Sequence, residues 1–133
     1  MHRAKGAKTV SHARKGRHTK HVLRAGGVVV CERCTIADSP LPRMRGLLGR
    51  RYLPSGEGIL LRPAGSIHTF FMRFPIDAVF LDRERRVLRV DESVRPWRAA
   101  CARGAHAVLE LRAGESARRG IAAGDVLEIG EAA

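Results

Sequence analysis

Ile76-Asp77-Ala78-Val79-Phe80-Leu81-Asp82, then Arg83-Glu84-Arg85, then Arg86-Val87-Leu88-Arg89-Val90 is the stretch whose reading decides the fold. The first run is short, apolar and rich in β-branched and aromatic residues. A charged turn closes it, and a second β-branched run answers it, which is the pattern of a hairpin. Upstream, Ile67 to Arg73 reads as another strand, ended by Phe74-Pro75. Gly58-Ile59-Leu60-Leu61 is a short buried run, and Val28 to Ile36 is the first strand. Downstream, Trp97 falls in an irregular stretch. Ala105 to Leu111 is a strand turned by Ala113-Gly114, and Val126-Leu127-Glu128-Ile129 after Gly124-Asp125 is a last hairpin arm. One short helix is expected over roughly residues 40–50. Asp38-Ser39-Pro40 supplies a capping side chain and a proline at the start, and Leu41, Met44, Leu47 and Leu48 form one apolar stripe. Short strands punctuated by Gly, Pro and charge predict a mainly β chain, a small single-domain β-barrel or jelly-roll-like sandwich.

The 133 residues suit one domain with one core, and 44% of them are apolar. The net charge of +12 is uneven: residues 1–31 hold eight Lys or Arg and no Asp or Glu. Residues 1–24 have almost no large apolar residues and no period, so ordering them is not repaid by burial. The expected organisation is a disordered basic arm over residues 1–26 and a mainly β domain over residues 27–131. Three cysteines, Cys31, Cys34 and Cys101, are too few for a disulfide scaffold and suit a reducing compartment. No run approaches the roughly 18–20 apolar residues of a membrane helix, nor the apolar core of an export signal. A cytoplasmic location is therefore expected.

Several blocks occur in a recognisable order: Arg45-Gly46-Leu47-Leu48 with Arg50, Gly58 to Leu61, His68 to Asp77, Val108 to Leu111 with Ala113-Gly114, then Gly120-Ile121 and Gly124-Asp125. Over roughly residues 28–130 the chain resembles the bacterial and archaeal family called domain of unknown function 192. The resemblance implies a compact β-barrel-like or jelly-roll-like domain and carries no established activity. That family commonly has Trp-Met-Lys-Asn-Thr where this chain has Phe71-Met72-Arg73-Phe74. Arg73 keeps the charge, and the Asn and Thr groups are missing.

Within a strand, His68, Phe70 and Met72 would point one way, and Thr69, Phe71 and Arg73 the other. Charged groups in so apolar a block need partners, since an unpaired buried charge is costly. Arg73, Asp77, His68 and Glu110 are the groups that could supply them. One reading is a polar cleft in which Arg73 holds an anionic or hydroxylated ligand, Asp77 or Glu110 orients it, and Thr69, Met72 and Trp97 form walls. The other is a structural ion pair, or an Asp77 that ties down the Phe74-Pro75 turn through backbone N–H groups. No metal site is expected: His106 and Glu110 would lie about 13 Å apart along a strand. Cys31 and Cys34, at i and i+3, would diverge to opposite faces. No cofactor motif, phosphate loop or nucleophile elbow appears.

Three functions stay open. The first is a binding module for a small polar or anionic ligand, or for a partner's segment. The second is a hydrolytic or sugar-directed enzyme using Asp77 or Glu110. The third is an accessory protein of a cell-envelope or secretion apparatus that docks through its basic arm. Residues 1–24 could contact nucleic acid or an anionic membrane without specificity, although they contain no aromatic residue for stacking.

Overall fold

The computed structural model describes residues 20–38 and 50–131. The helix expected over residues 40–50 falls almost wholly outside them, as do residues 1–19 of the expected arm. The described chain forms nine strands: β1 (Lys20–Ala25), β2 (Val28–Ala37), β3 (Glu57–Leu61), β4 (Ser66–His68), β5 (Ile76–Leu81), β6 (Val87–Val94), β7 (Ala99–Cys101), β8 (Ala107–Arg112) and β9 (Leu127–Glu131). One short helix, α1 (Glu115–Arg118), precedes β9.

Seven strands make one sheet in the order β6-β5-β8-β3-β2-β1-β9, and β4 pairs with β7 in a second sheet. The β2–β3 pair is parallel, and the others are antiparallel. The large sheet does not close, so the expectation of a barrel gives way to an open, curled sheet. Its two edges approach around the Arg86–Val126 bridge, where backbone hydrogen bonds join residues 85–87 to residues 124–127. Two further expectations change. Residues 20–25, assigned to the arm, form β1, because Leu23 is fully buried in the core. The last strand pairs with β1 rather than forming a hairpin with its predecessor.

The hairpin that decided the fold class is present. Every residue of β5 is buried, as both faces of a central strand require. Asp82 fastens the turn, its carboxylate accepting the Glu84 and Arg86 N–H groups at 2.9 Å. One face of the sheet wraps a core to which all seven strands contribute, among them Leu23, Ile36, Leu60, Val79, Val87, Leu109 and Leu127. The other face carries Ile59, Leu61, Ile76, Ala78, Phe80 and Val108, and Ile67 and Met72 pack against it. The small sheet is tied down at its rim: Ala64 N–H reaches His106 C=O, Ala102 N–H reaches Gly65 C=O, and the Arg89 guanidinium donates to Cys101 C=O.

A β-bulge in β2 overturns the expected divergence of the two thiols. His21 pairs with Cys34 and Leu23 with Cys31, so three steps along β2 oppose two along β1. The extra residue resets the alternation. Glu32 and Arg33 both face outward, and Cys31 and Cys34 both enter the same core. The Cys34 side chain hydrogen-bonds Cys31 and holds its thiol below the usual range.

Candidate binding surface

Thr69 is the joint on which the site is built. It is fully buried, just past β4. Its hydroxyl donates to Arg95 C=O at 2.6 Å and accepts the Arg98 N–H at 2.9 Å. Its backbone N–H donates to Arg98 C=O at 2.8 Å, and its own carbonyl accepts N–H groups from Trp97 and Met72. Two loops, residues 69–75 and 95–98, are thereby locked together. Replacing Thr69 by Val keeps the shape but strands the Arg98 N–H and the Arg95 carbonyl. That change should cost about 2 kcal/mol in urea unfolding and should make Trp97 more accessible to acrylamide quenching.

The first loop is where the sequence reading departs most from the structure. Ile67 to Arg73 was expected as one strand, but the strand ends at His68 and the chain turns through Phe70 and Phe71. Phe71 sits at φ 67° and Trp97 at φ 67°. A bulky side chain in the left-handed region costs on the order of 1–3 kcal/mol and persists only where its surroundings hold it. What the two strained turns achieve is to lift rings out of the core. Phe70, Phe71 and Trp97 are 39%, 70% and 56% exposed. The rings form a row: His68 stacks on Phe70 at 4.9 Å, Phe70 on Trp97 at 5.8 Å, and Phe71 leans on Trp97 at 4.7 Å.

Phe70 and Phe71 are the residues the sequence reading missed as surface groups. Their doublet breaks the alternation of a half-buried strand, and that was the available signal. Met72 is the residue that turns inward, into the core beneath the small sheet. Arg73, Arg95 and Arg98 flank the rings and are exposed, and none has an ion-pair partner among the described residues. The 13 acidic residues leave this unit untouched: residues 58–76 and 93–109 contain five arginines and no Asp or Glu.

Of the seven residues singled out from the sequence, Thr69, Met72, Arg73 and Trp97 belong to this loop pair, and His68 ends β4 beside it. Asp77 and Glu110 do not. Ala78 pairs with Glu110 and Asp77 with Leu111, so the two carboxyls point to opposite faces of the sheet. Asp77 is fully buried and accepts four hydrogen bonds: from Ser93 N–H (2.9 Å), Gly114 N–H (3.1 Å), Ser116 N–H (2.9 Å) and the Ser116 hydroxyl (2.6 Å). It caps α1 from a distant strand, where no local side chain does so. The turn it secures is therefore Ala113-Gly114 rather than Phe74-Pro75.

Glu110 lies between Ile59 and Ala78 on the apolar face under the small sheet, 4% exposed. Among the described residues no hydrogen bond or ion pair reaches its carboxyl, and burial pushes it up to about 7. A cavity of about 440 Å³ opens nearby between Tyr52, Leu53, Phe74, Pro75 and Arg112. A second, of about 520 Å³, lies by Gly26, Arg119 and Val126. None of the seven residues lines either one. Among the described residues no group of three or more His, Cys, Asp or Glu is gathered as metal ligands are. No helix among them is long and apolar enough to cross a membrane.

A family model, DUF192, described as an uncharacterised ACR, matches residues 14–129. The chain belongs to that family. The match begins inside the region expected to be an arm, in keeping with the place of β1 in the sheet. The DUF192 fold recurs in a solved protein of unknown function from Novosphingobium aromaticivorans, 26% identical, with a TM-score of 0.71 over 82% of this chain and 83% of that one. It recurs also in a Sinorhizobium meliloti protein described, provisionally, as a transcription regulator. That protein is 23% identical, with a TM-score of 0.72 over 84% of this chain and 95% of that one. No curated protein matches the chain.

Proposed function

We propose that this DUF192 chain is a binding module whose working surface is the aromatic row formed by His68, Phe70, Phe71 and Trp97, and whose partner is negatively charged. The observation that carries the reading is the pair of strained backbone positions, Phe71 and Trp97, which hold large rings in solvent beside arginines that form no ion pair among the described residues. Burying those rings would be the cheaper arrangement for a purely structural loop, because an aromatic side chain contributes much of a core's apolar area. Exposed Trp and Arg on a rigid support are also the residue types that dominate binding energy at recognition surfaces, and Phe is enriched there. The acid-free composition of residues 58–76 and 93–109 selects the sign of the partner.

Trp97 is the only tryptophan, so its emission reports on this surface alone. Full-length protein titrated with polyphosphate, an oligonucleotide and an acidic peptide should change its emission with at least one of them. The midpoint should move to higher concentration as salt rises. Substituting Arg73→Ala and Arg98→Ala together should weaken that binding about tenfold, with the melting temperature held. Emission that ignores every anion would remove the proposal.

A further inference from the structure

We infer that the partner is an unpaired nucleic-acid strand. This deepens the reading above and rests on it. The rings form a continuous row with centroid spacings of 4.9, 5.8 and 4.7 Å, ending at Phe71, the most exposed of them. Every nucleobase has a flat face, so a base can extend the row by stacking on the exposed ring of Phe71, without regard to sequence. Arg73, Arg95 and Arg98, on either side of the rings in the chain, supply the charge that a phosphate backbone needs.

His68 adds a group that a lipid surface would not require. Its Nδ1 accepts the Phe70 N–H at 3.3 Å, which puts the proton of the neutral ring on Nε2. That N–H is a donor beside the stack, suited to the acceptor edge of a base. Duplexes fit poorly. Paired bases hide their faces, and a major groove is read by a helix or ribbon that enters it. The helix among the described residues has four residues and is fastened at its start to Asp77.

The test uses the full chain at fixed salt with four probes: an oligothymidylate of about twelve nucleotides, the matching duplex, polyphosphate, and vesicles of phosphatidylglycerol. Oligothymidylate should quench Trp97 and bind about tenfold more tightly than duplex or polyphosphate. Phe71→Asn removes the outermost ring while keeping a residue that tolerates positive φ. It should weaken oligothymidylate binding about tenfold, leave polyphosphate binding unchanged, and leave melting unchanged or raised. Equal affinity for polyphosphate and oligothymidylate, with no effect of Phe71→Asn, would overturn the nucleic-acid assignment and leave the anionic site standing. A blue shift of Trp97 on vesicles, without quenching by oligothymidylate, would overturn it in favour of a lipid surface. Emission unaltered by all four probes would overturn both readings.

Discussion

Asp77→Ala should unfold at markedly lower urea, with about 4 kcal/mol of stability lost. The carboxylate is the shared acceptor for four donors, and three of them are backbone N–H groups. Hydrogen bonds to a charged acceptor contribute about 1.5–3 kcal/mol each, and a buried donor left without a partner costs about 1–3 kcal/mol. The carboxylate's own burial offsets part of this sum, which is why the expected loss is not larger. Against a usual domain stability of about 5–15 kcal/mol, such a variant stands near the edge of folding. Asp77→Asn is the informative companion. It keeps one acceptor oxygen but turns an amide NH₂ toward the remaining donors, so about half the loss should persist. Urea unfolding followed by circular dichroism measures both. An alanine variant within 1 kcal/mol of the parent would mean that water reaches these donors and that α1 does not depend on β5.

Glu110→Gln should gain stability over the parent as pH rises. An ordinary Glu titrates near 4.5, and burial pushes this one up to about 7. Below about pH 4.5 both folded and unfolded chains carry the proton, and the group has no net effect. Between about 4.5 and 7 the unfolded chain releases it while the folded chain retains it, so stability falls by about 1.4 kcal/mol per pH unit. Above 7 both forms are ionised and the loss levels off, on the order of 3 kcal/mol. Gln has no such proton. The stability of the variant minus that of the parent should therefore rise by roughly that amount from pH 4.5 to 8. Arg119 draws Glu32 below the ordinary range. At Glu115 burial works upward, but Ser55, Arg118 and Arg119 outweigh it. The stability these two contribute is lost as pH falls, the opposite direction, and it cancels in the difference. A difference that stays flat across the window would show that the carboxyl is solvated in the folded chain.

The strands were legible because their signals are local. The β5 run is apolar throughout, its turn is charged, and β6 answers it within a few residues. The departures arise where conformation is set from a distance. The bulge at Glu32-Arg33 exists because β2 is paired with β1, and β1 looked like arm because basic residues surround its one fully buried side chain, Leu23. The helix α1 has four residues and is capped from Asp77, so nothing nearby in the chain announces it. The relation of Asp77 to Glu110 depends on the β5–β8 register. A one-residue change of register would have placed both on one face. The aromatic row was half legible. His68, Thr69, Arg73 and Trp97 stand out in the sequence by residue type, but the apolar run from Ile67 to Arg73 reads as a strand and masks the turn that presents Phe70 and Phe71.

Strand β1 stands between β2 and β9, which come from opposite ends of the described chain. Once the β1–β2 hairpin has formed, its outer rim waits with unsatisfied N–H and C=O groups until the final strand arrives. Closing so large a loop late places this protein among the slow folders, in the millisecond-to-second range. During that interval the bare rim is a template for another molecule's strand, so refolding yield should fall as protein concentration rises, and a peptide spanning residues 127–131 should compete for the vacant place.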